Sequence, residues 1–245
     1  AATTNWNDAA NWFGNVVPIS TDIVLLDNSS VLVSYTVDLP IGAVNVTVST
    51  LTINPSGVNT ITLNLPVLNT AVPALTITGA GDALVLNNGA VFRNSSGAAA
   101  GSTVAITNTF RINDGGHYIH NTPRVNAAII SQLSTAAGTE LGIFEFDVPG
   151  FAGYTPSLSG RTFGSLILSA AAAGGPRTYT GSGAFNCTVR GNFTINTDVT
   201  FSISMSAMFI VQQDYNQSPS STFDIQSAAN PNTVQIAGDI TNNGI

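Results

Sequence analysis

His117 and His120 share one stretch with Asp114, Arg111 and Arg124, and the acidic residues Glu140, Glu145 and Asp147 follow soon after. Imidazoles and carboxylates in such company are the raw material of a metal site or an acid/base pair. The spacing argues against the first. Residues three apart in a strand point to opposite faces, so the two histidines make a poor pair of ligands unless a bulge or turn intervenes. Glu145 and Asp147, two apart, would share a strand face, and a glycosidase needs two carboxylates facing one cleft. With Phe151 and Tyr154 nearby, these four residues are where a polysaccharide-binding or polysaccharide-degrading surface would be sought, although a solvated acidic edge explains the carboxylates more simply. A lyase acting on acidic sugars needs basic groups beside the substrate carboxylate, or clustered carboxylates for calcium; six scattered Arg and no Lys give it thin support. Gly79-Ala80-Gly81 does not continue into a phosphate loop. The reading is of a non-enzyme: no residue is assigned a catalytic, cofactor-binding or metal-binding role, and no cofactor is implied.

The single cysteine, Cys187, has no partner for an internal disulfide, and between Asn186 and Thr188 in strand-like text it reads as an inert packed thiol rather than a nucleophile. Asn and Asp at corner positions, such as Asn192, Asp214 and Asp239, suggest side-chain ladders between coils in preference to bound calcium, since no nonapeptide Gly/Asp-rich repeat is present. Thr50-Leu51-Thr52 and Thr60-Ile61-Thr62 have the spacing of an ice-ordering face but do not recur at a common period.

These residues must be positioned by strands. Charged residues are only 8% of the chain while hydrophobic residues are 44%, the reverse of the balance that keeps a chain disordered. A net charge of −7 offers no basic stripe, which disfavours nucleic acid and anionic lipid surfaces. No apolar run is long enough for a membrane-spanning helix. From Asp22 onward, short segments rich in Val, Ile, Leu and Thr (23–26, 31–39, 44–53, 60–68, 75–78) alternate with turn text such as Asn54-Pro55-Ser56-Gly57 and Asn87-Asn88-Gly89. Alternation puts Val44, Val46 and Val48 on a dry face and Asn45, Thr47 and Ser49 on a wet one.

Toward the C-terminus one phrase returns. Arg190-Gly191-Asn192-Phe193-Thr194-Ile195 is echoed by Gln212-Gln213-Asp214-Tyr215-Asn216 and by Ala237-Gly238-Asp239-Ile240-Thr241, and Phe201 is echoed by Phe223. A period in the twenties carried by strand text means one coil of a solenoid per repeat. A single coil cannot bury enough to offset its ordering entropy, so coils must stack in parallel. The prediction is an all-β chain with a parallel β-helix over 21–245, an irregular excursion near 113–160, and an N-terminal cap over 1–20 in which Trp6, Trp12 and Phe13 cover the end of the stack. The alternative use of those rings is a carbohydrate-stacking platform.

Gly116-His117-Tyr118-Ile119-His120-Asn121-Thr122, then Phe163-Gly164-Ser165-Leu166-Ile167-Leu168, then the Gly191-Asn192-Phe193-Thr194-Ile195 repeat, resemble the β-helical repeat regions of large secreted surface proteins of Bacteroidetes. Asn5-Trp6-Asn7-Asp8-Ala9-Ala10-Asn11-Trp12 is similar to the start of such regions. The resemblance implies a right-handed parallel β-helix, secretion, and membership of a long adhesin-like cell-surface molecule, without an active site. It also implies further repeats and a C-terminal secretion domain, so a chain stopping at Asn243-Gly244-Ile245 is expected to be a fragment, a processed product or a subunit completed by a neighbour. The expected role is a stalk, adhesin segment or self-assembling filament subunit. Its expected contacts are with itself or a neighbouring repeat domain through the coil ends, with a glycan surface possible.

Overall fold

The computed structural model describes residues 3–150, 152–225 and 233–244. The chain is a parallel β-solenoid of about eight turns with few helices, and it divides into two compact units, residues 1–134 and 135–245.

In the first unit each coil contributes up to three strands. They run β1 (Ile23–Asp27), β2 (Tyr35–Asp38) and β3 (Val46–Val48), then β4 (Thr50–Asn54), β5 (Ile61–Leu65) and β6 (Leu75–Ile77). Next come β7 (Asp82–Leu86), β8 (Ala90–Asn94) and β9 (Val104–Ile106), followed by β10 (Thr109–Ile112), β11 (His117–His120) and a single helical turn, α1 (Ala127–Ile130). Every third strand pairs in parallel: β1 with β4, β4 with β7, and β7 with β10 form one face. The second face is built by β2, β5, β8 and β11, and the third by β3, β6 and β9. Alternate residues point inward and stack on their counterparts one coil away. Leu51, Leu84 and Phe110 make one such column, and Leu63, Phe92 and Tyr118 another, all fully buried. The stack continues through β11, and the irregular text comes after it.

The 44–53 segment differs from its expected single alternation. It is two strands, β3 and β4, on different faces. Val46 and Val48 point inward, then Leu51 and Ile53 do, so the parity resets at the Ser49 corner. Val44, assigned to the dry side, lies outside the strand and is exposed.

The second unit begins with β12 (Ile143–Phe146) and proceeds through β13 (Thr162–Phe163), β14 (Ser165–Leu168) and β15 (Arg177–Gly183). Then follow β16 (Cys187–Val189), β17 (Phe193–Ile195) and β18 (Val199–Met205), β19 (Phe209–Val211), β20 (Tyr215–Gln217) and β21 (Thr222–Ile225), and finally β22 (Val234–Ile236) and β23 (Ile240–Asn242). The repeated phrase is in register. Phe193 pairs with Tyr215 and Tyr215 with Ile240, while Phe201 pairs with Phe223. The Phe193 and Tyr215 rings stack at 5.6 Å and the Phe201 and Phe223 rings at 5.5 Å, so period and register have the same cause: aromatic faces meet only when coils align.

Close coil approach explains the glycine in the first and third phrases, whereas the second carries Gln213 at that position. A Cβ added at Gly191 would collide with the Glu140 carbonyl oxygen and the Ser165 hydroxyl, and one at Gly238 would lie 2.6 Å from the Gln213 carbonyl carbon. Gly191→Ala is therefore expected to destabilise the fold by roughly 2 kcal/mol or more through overpacking against backbone. Gly153→Ala, where a Cβ meets nothing within 4 Å, should be near neutral. Urea denaturation of both variants beside the parent checks this, and equal midpoints for all three would contradict it.

Candidate functional site

The histidines lie on β11 and face opposite ways, as their spacing demands. His117 is half-buried on the outer face, whereas His120 is inside. His120 Nδ1 lies 3.3 Å from the Tyr118 hydroxyl and Nε2 lies 3.2 Å from the Arg124 carbonyl oxygen. With Nε2 carrying the proton, that nitrogen donates to the carbonyl and Nδ1 accepts from the hydroxyl. The network extends to Asn94, whose Nδ2 donates to Tyr118 at 3.0 Å and to Thr103 at 2.9 Å. Thr122 donates to the Ser96 carbonyl one coil back, at 2.8 Å. This knot fastens coil corners together. Burial lowers the His120 pKa to about 4, against the opposing pull of the Arg124 carbonyl, so the ring is neutral at physiological pH.

Other charged residues named with the histidines are dispersed. Arg111 binds Asp82 at 3.3 Å and Asn113 at 2.6 Å, and Arg124 donates to the Ala99 carbonyl at 2.6 Å. Asp114 is exposed in the turn before β11. In the second unit Glu140 pairs with Arg190 at 2.9 Å, and the same guanidinium donates to Thr139 and to the Thr135 carbonyl. Among the described residues, no group of three or more His, Cys, Asp or Glu could hold a metal ion.

Glu145 and Asp147 do not face one cleft. Glu145 accepts from the Ser169 hydroxyl at 2.5 Å, and that hydroxyl accepts from Asn196 at 2.7 Å. Asp147 is buried just beyond β12, where it accepts from the Ala172 amide at 2.8 Å, in the 3-10 turn Ala171–Ala173. Tyr154 holds one side of the buried Arg177 guanidinium at 5.7 Å from its ring centre, while Tyr179 lies at 5.6 Å. Arg177 also donates to the Gly150 carbonyl at 2.5 Å. The Tyr179 hydroxyl donates to the Ser169 carbonyl at 2.7 Å and accepts from the Val148 amide at 3.1 Å, and burial pushes its pKa up. Phe151, grouped with these residues by sequence, lies outside the described residues. The polar groups here fasten a loop down onto the coils.

The expected ladders are present in two forms. In the first unit Asn87 donates to the Asn54 side chain at 2.8 Å and Asn113 to that of Asn87 at 2.6 Å, an amide ladder over three coils. In the second unit the side-chain oxygen instead receives the next coil's backbone amide: Asn192 N–H donates to Ser165 at 3.1 Å, Asp214 N–H to Asn192 at 3.1 Å, and Asp239 N–H to Asp214 at 3.0 Å. Ser165 extends a series that the repeated phrase had shown only from Asn192 onward; its signal was an oxygen-bearing residue directly before the inward apolar one.

Cys187 is buried, in register with Phe209, and burial drives its thiol pKa upward.

At the N-terminal end Trp6 is 1% exposed, and its amide donates to the Asp38 carbonyl at 2.9 Å, laying residues 4–6 along β2. Trp12 packs its ring against Trp6 with centres 4.7 Å apart and donates its indole N–H to the Trp6 carbonyl at 2.7 Å. Phe13 does not belong to this lid. It is fully exposed, because the 3-10 turn Phe13–Asn15 carries it away from the coil. Trp12 and Phe13 instead line an open groove with Asp22, Ile23, Asp27 and Tyr35. Sequence reasoning missed the contributions of β1 and β2 to this groove; the outward Ile23 and Leu25 of β1, both exposed, were the available sign.

Fold and side-chain geometry thus define the class, a parallel β-solenoid whose polar side chains largely stitch coil to coil. No family model, curated protein or solved structure matches the chain.

The depressed pKa of His120 has a definite sign. Below about pH 6.5 the unfolded chain binds a proton that the folded chain refuses, so stability from this group is intact above that pH and falls until about pH 4. The loss should reach roughly 3 kcal/mol. Denaturant midpoints of the parent between pH 7 and 4 should fall more steeply than those of His120→Gln, and parallel curves would refute the assignment. Cys187 should resist an aromatic disulfide reagent in the native protein and react at once in denaturant; native-state labelling on mixing would show the thiol to be accessible.

Proposed function

We propose that this chain is a non-catalytic structural or adhesive module of an extracellular or cell-surface protein, akin to the repeat regions of Bacteroidetes surface proteins, working as a stalk, adhesin segment or filament subunit. The observation that carries the reading is the run of coil-to-coil bonds from Ser165 through Asn192 and Asp214 to Asp239, beside the column Leu166, Phe193, Tyr215 and Ile240. Side chains of the kinds that do chemistry are spent here on joining one coil to the next, which suits a module whose contribution is stiffness.

The last of these coils supports association through the coil ends. β23 lies at the edge of its sheet, Ile240 is 63% exposed, and the Asp239 carboxylate stands where its predecessors receive the amide of a following coil. An edge of this kind is a template for another β-element, supplied by a neighbouring domain or a second copy.

Sedimentation at rising concentration tests the assembly. The full chain is expected to associate, and Ile240→Glu, which puts a charge on the edge, to remain monomeric. Identical monomers would remove the filament reading. Incubating the parent with polysaccharides and assaying new reducing ends tests the rest, since sustained release of ends would overturn a non-catalytic role.

A further inference from the structure

The groove at the N-terminal end of the first unit encloses about 470 Å3, within the size range of small-ligand sites. Its lining mixes two chemistries. Trp12 and Phe13 present aromatic surface, and Asp22, Asp27 and Ser29 present oxygen atoms. Trp12 is held in place by its indole bond and its edge contact with Trp6, so that ring is set before any ligand arrives. Phe13 is the opposite case: a whole ring left in water, contributing nothing to the core.

The carboxylates are ordered too. Asp22 accepts from the Ile19 amide at 2.8 Å, and Asp27 accepts from the Ser29 amide at 3.0 Å and from its hydroxyl at 2.6 Å. A carboxylate has about four acceptor positions, so each keeps capacity for hydroxyl donors. Lys, Arg and His do not occur among the lining residues.

These features select a ligand by exclusion and by fit. Two carboxylates without a cation repel uronates, sulfated sugars and phosphates. An acyl chain would strip water from both carboxylates and return no hydrogen bond. A hexopyranose meets both demands, since its C–H face is apolar and packs on an aromatic ring while its hydroxyls donate to carboxylate and serine oxygens. We propose that this groove binds a neutral hexose oligosaccharide, with Phe13 as the exposed stacking platform and Asp22 and Asp27 as hydroxyl acceptors. The proposal adds a ligand to the non-catalytic reading and is independent of self-association through β23.

The chain's two tryptophans, Trp6 and Trp12, both belong to this segment, so intrinsic fluorescence reports on the groove. The full chain is titrated with cellohexaose, laminarihexaose, mannohexaose and a galacturonic acid hexamer. At least one neutral sugar should give a saturable change and the galacturonate none. Phe13→Ala should weaken that binding about tenfold or more with the melting temperature unchanged, and Phe13→Tyr should restore it. The proposal is overturned if no neutral sugar binds, if the galacturonate binds as well, or if Phe13→Ala binds like the parent. It is equally overturned if an extended apolar peptide saturates the signal in place of the sugars, which would make the groove a strand-docking edge along β1.

Discussion

Everything in this molecule answers to the distance between neighbouring coils. Parallel strands lie about 4.8 Å apart, and at that spacing a residue's closest neighbours are its counterparts one coil before and one coil after. A side chain at a given position must therefore suit two others of nearly the same position, whatever lies beside it in sequence. Inside, this yields columns of aliphatic and aromatic groups such as Leu63, Phe92 and Tyr118. At corners, where the backbone turns and strand pairing lapses, it yields oxygen-bearing side chains that take up the amides strand pairing would otherwise satisfy.

The same spacing explains three of the corner glycines, although Gln213 takes the equivalent place between Gly191 and Gly238. Gly164, Gly191 and Gly238 sit at equivalent corners, and at each a methyl group would run into the backbone of another corner. It also explains why buried polar groups are tolerated. His120, Tyr118, Asn94 and Thr103 form one bonded knot, and Tyr179 with Ser169 and Val148 forms a second. A buried polar group is costly only when its partner is missing, and a stack of coils supplies partners at a fixed repeat. His120, Glu145 and Asp147, which a linear reading singles out for chemistry, use their hydrogen-bonding capacity on neighbouring corners and loops.

The outside of the solenoid is under no such obligation. Outward positions on β1 and the turn after Trp12 carry Ile23, Leu25 and Phe13 into solvent, and nothing in coil stacking calls for them. A surface feature that the fold does not need is where recognition is to be sought, which is why the groove beside Trp12, rather than the histidine cluster or the carboxylates of the second unit, holds the binding proposal.

Local order and periodicity are legible in the sequence. Alternation of Val, Ile and Leu with Thr and Asn marked the strands because a pleated strand sorts side chains with period two. The Phe193, Tyr215 and Ile240 echo marked register because stacked coils put like beside like. The opposite faces of His117 and His120 followed from their spacing alone. Tertiary structure decided what depends on neighbours far apart in sequence. The Ser49 corner reset the parity of a run that reads as one strand, and Phe13 turned out into solvent while its neighbour Trp12 packed against Trp6. Glu145 and Asp147, two residues apart, were drawn to Ser169 and to the Ala172 amide, groups more than twenty residues away. Spacing along a strand fixes which way a side chain points, but only the adjoining coil and the loops packed on it determine what that side chain meets.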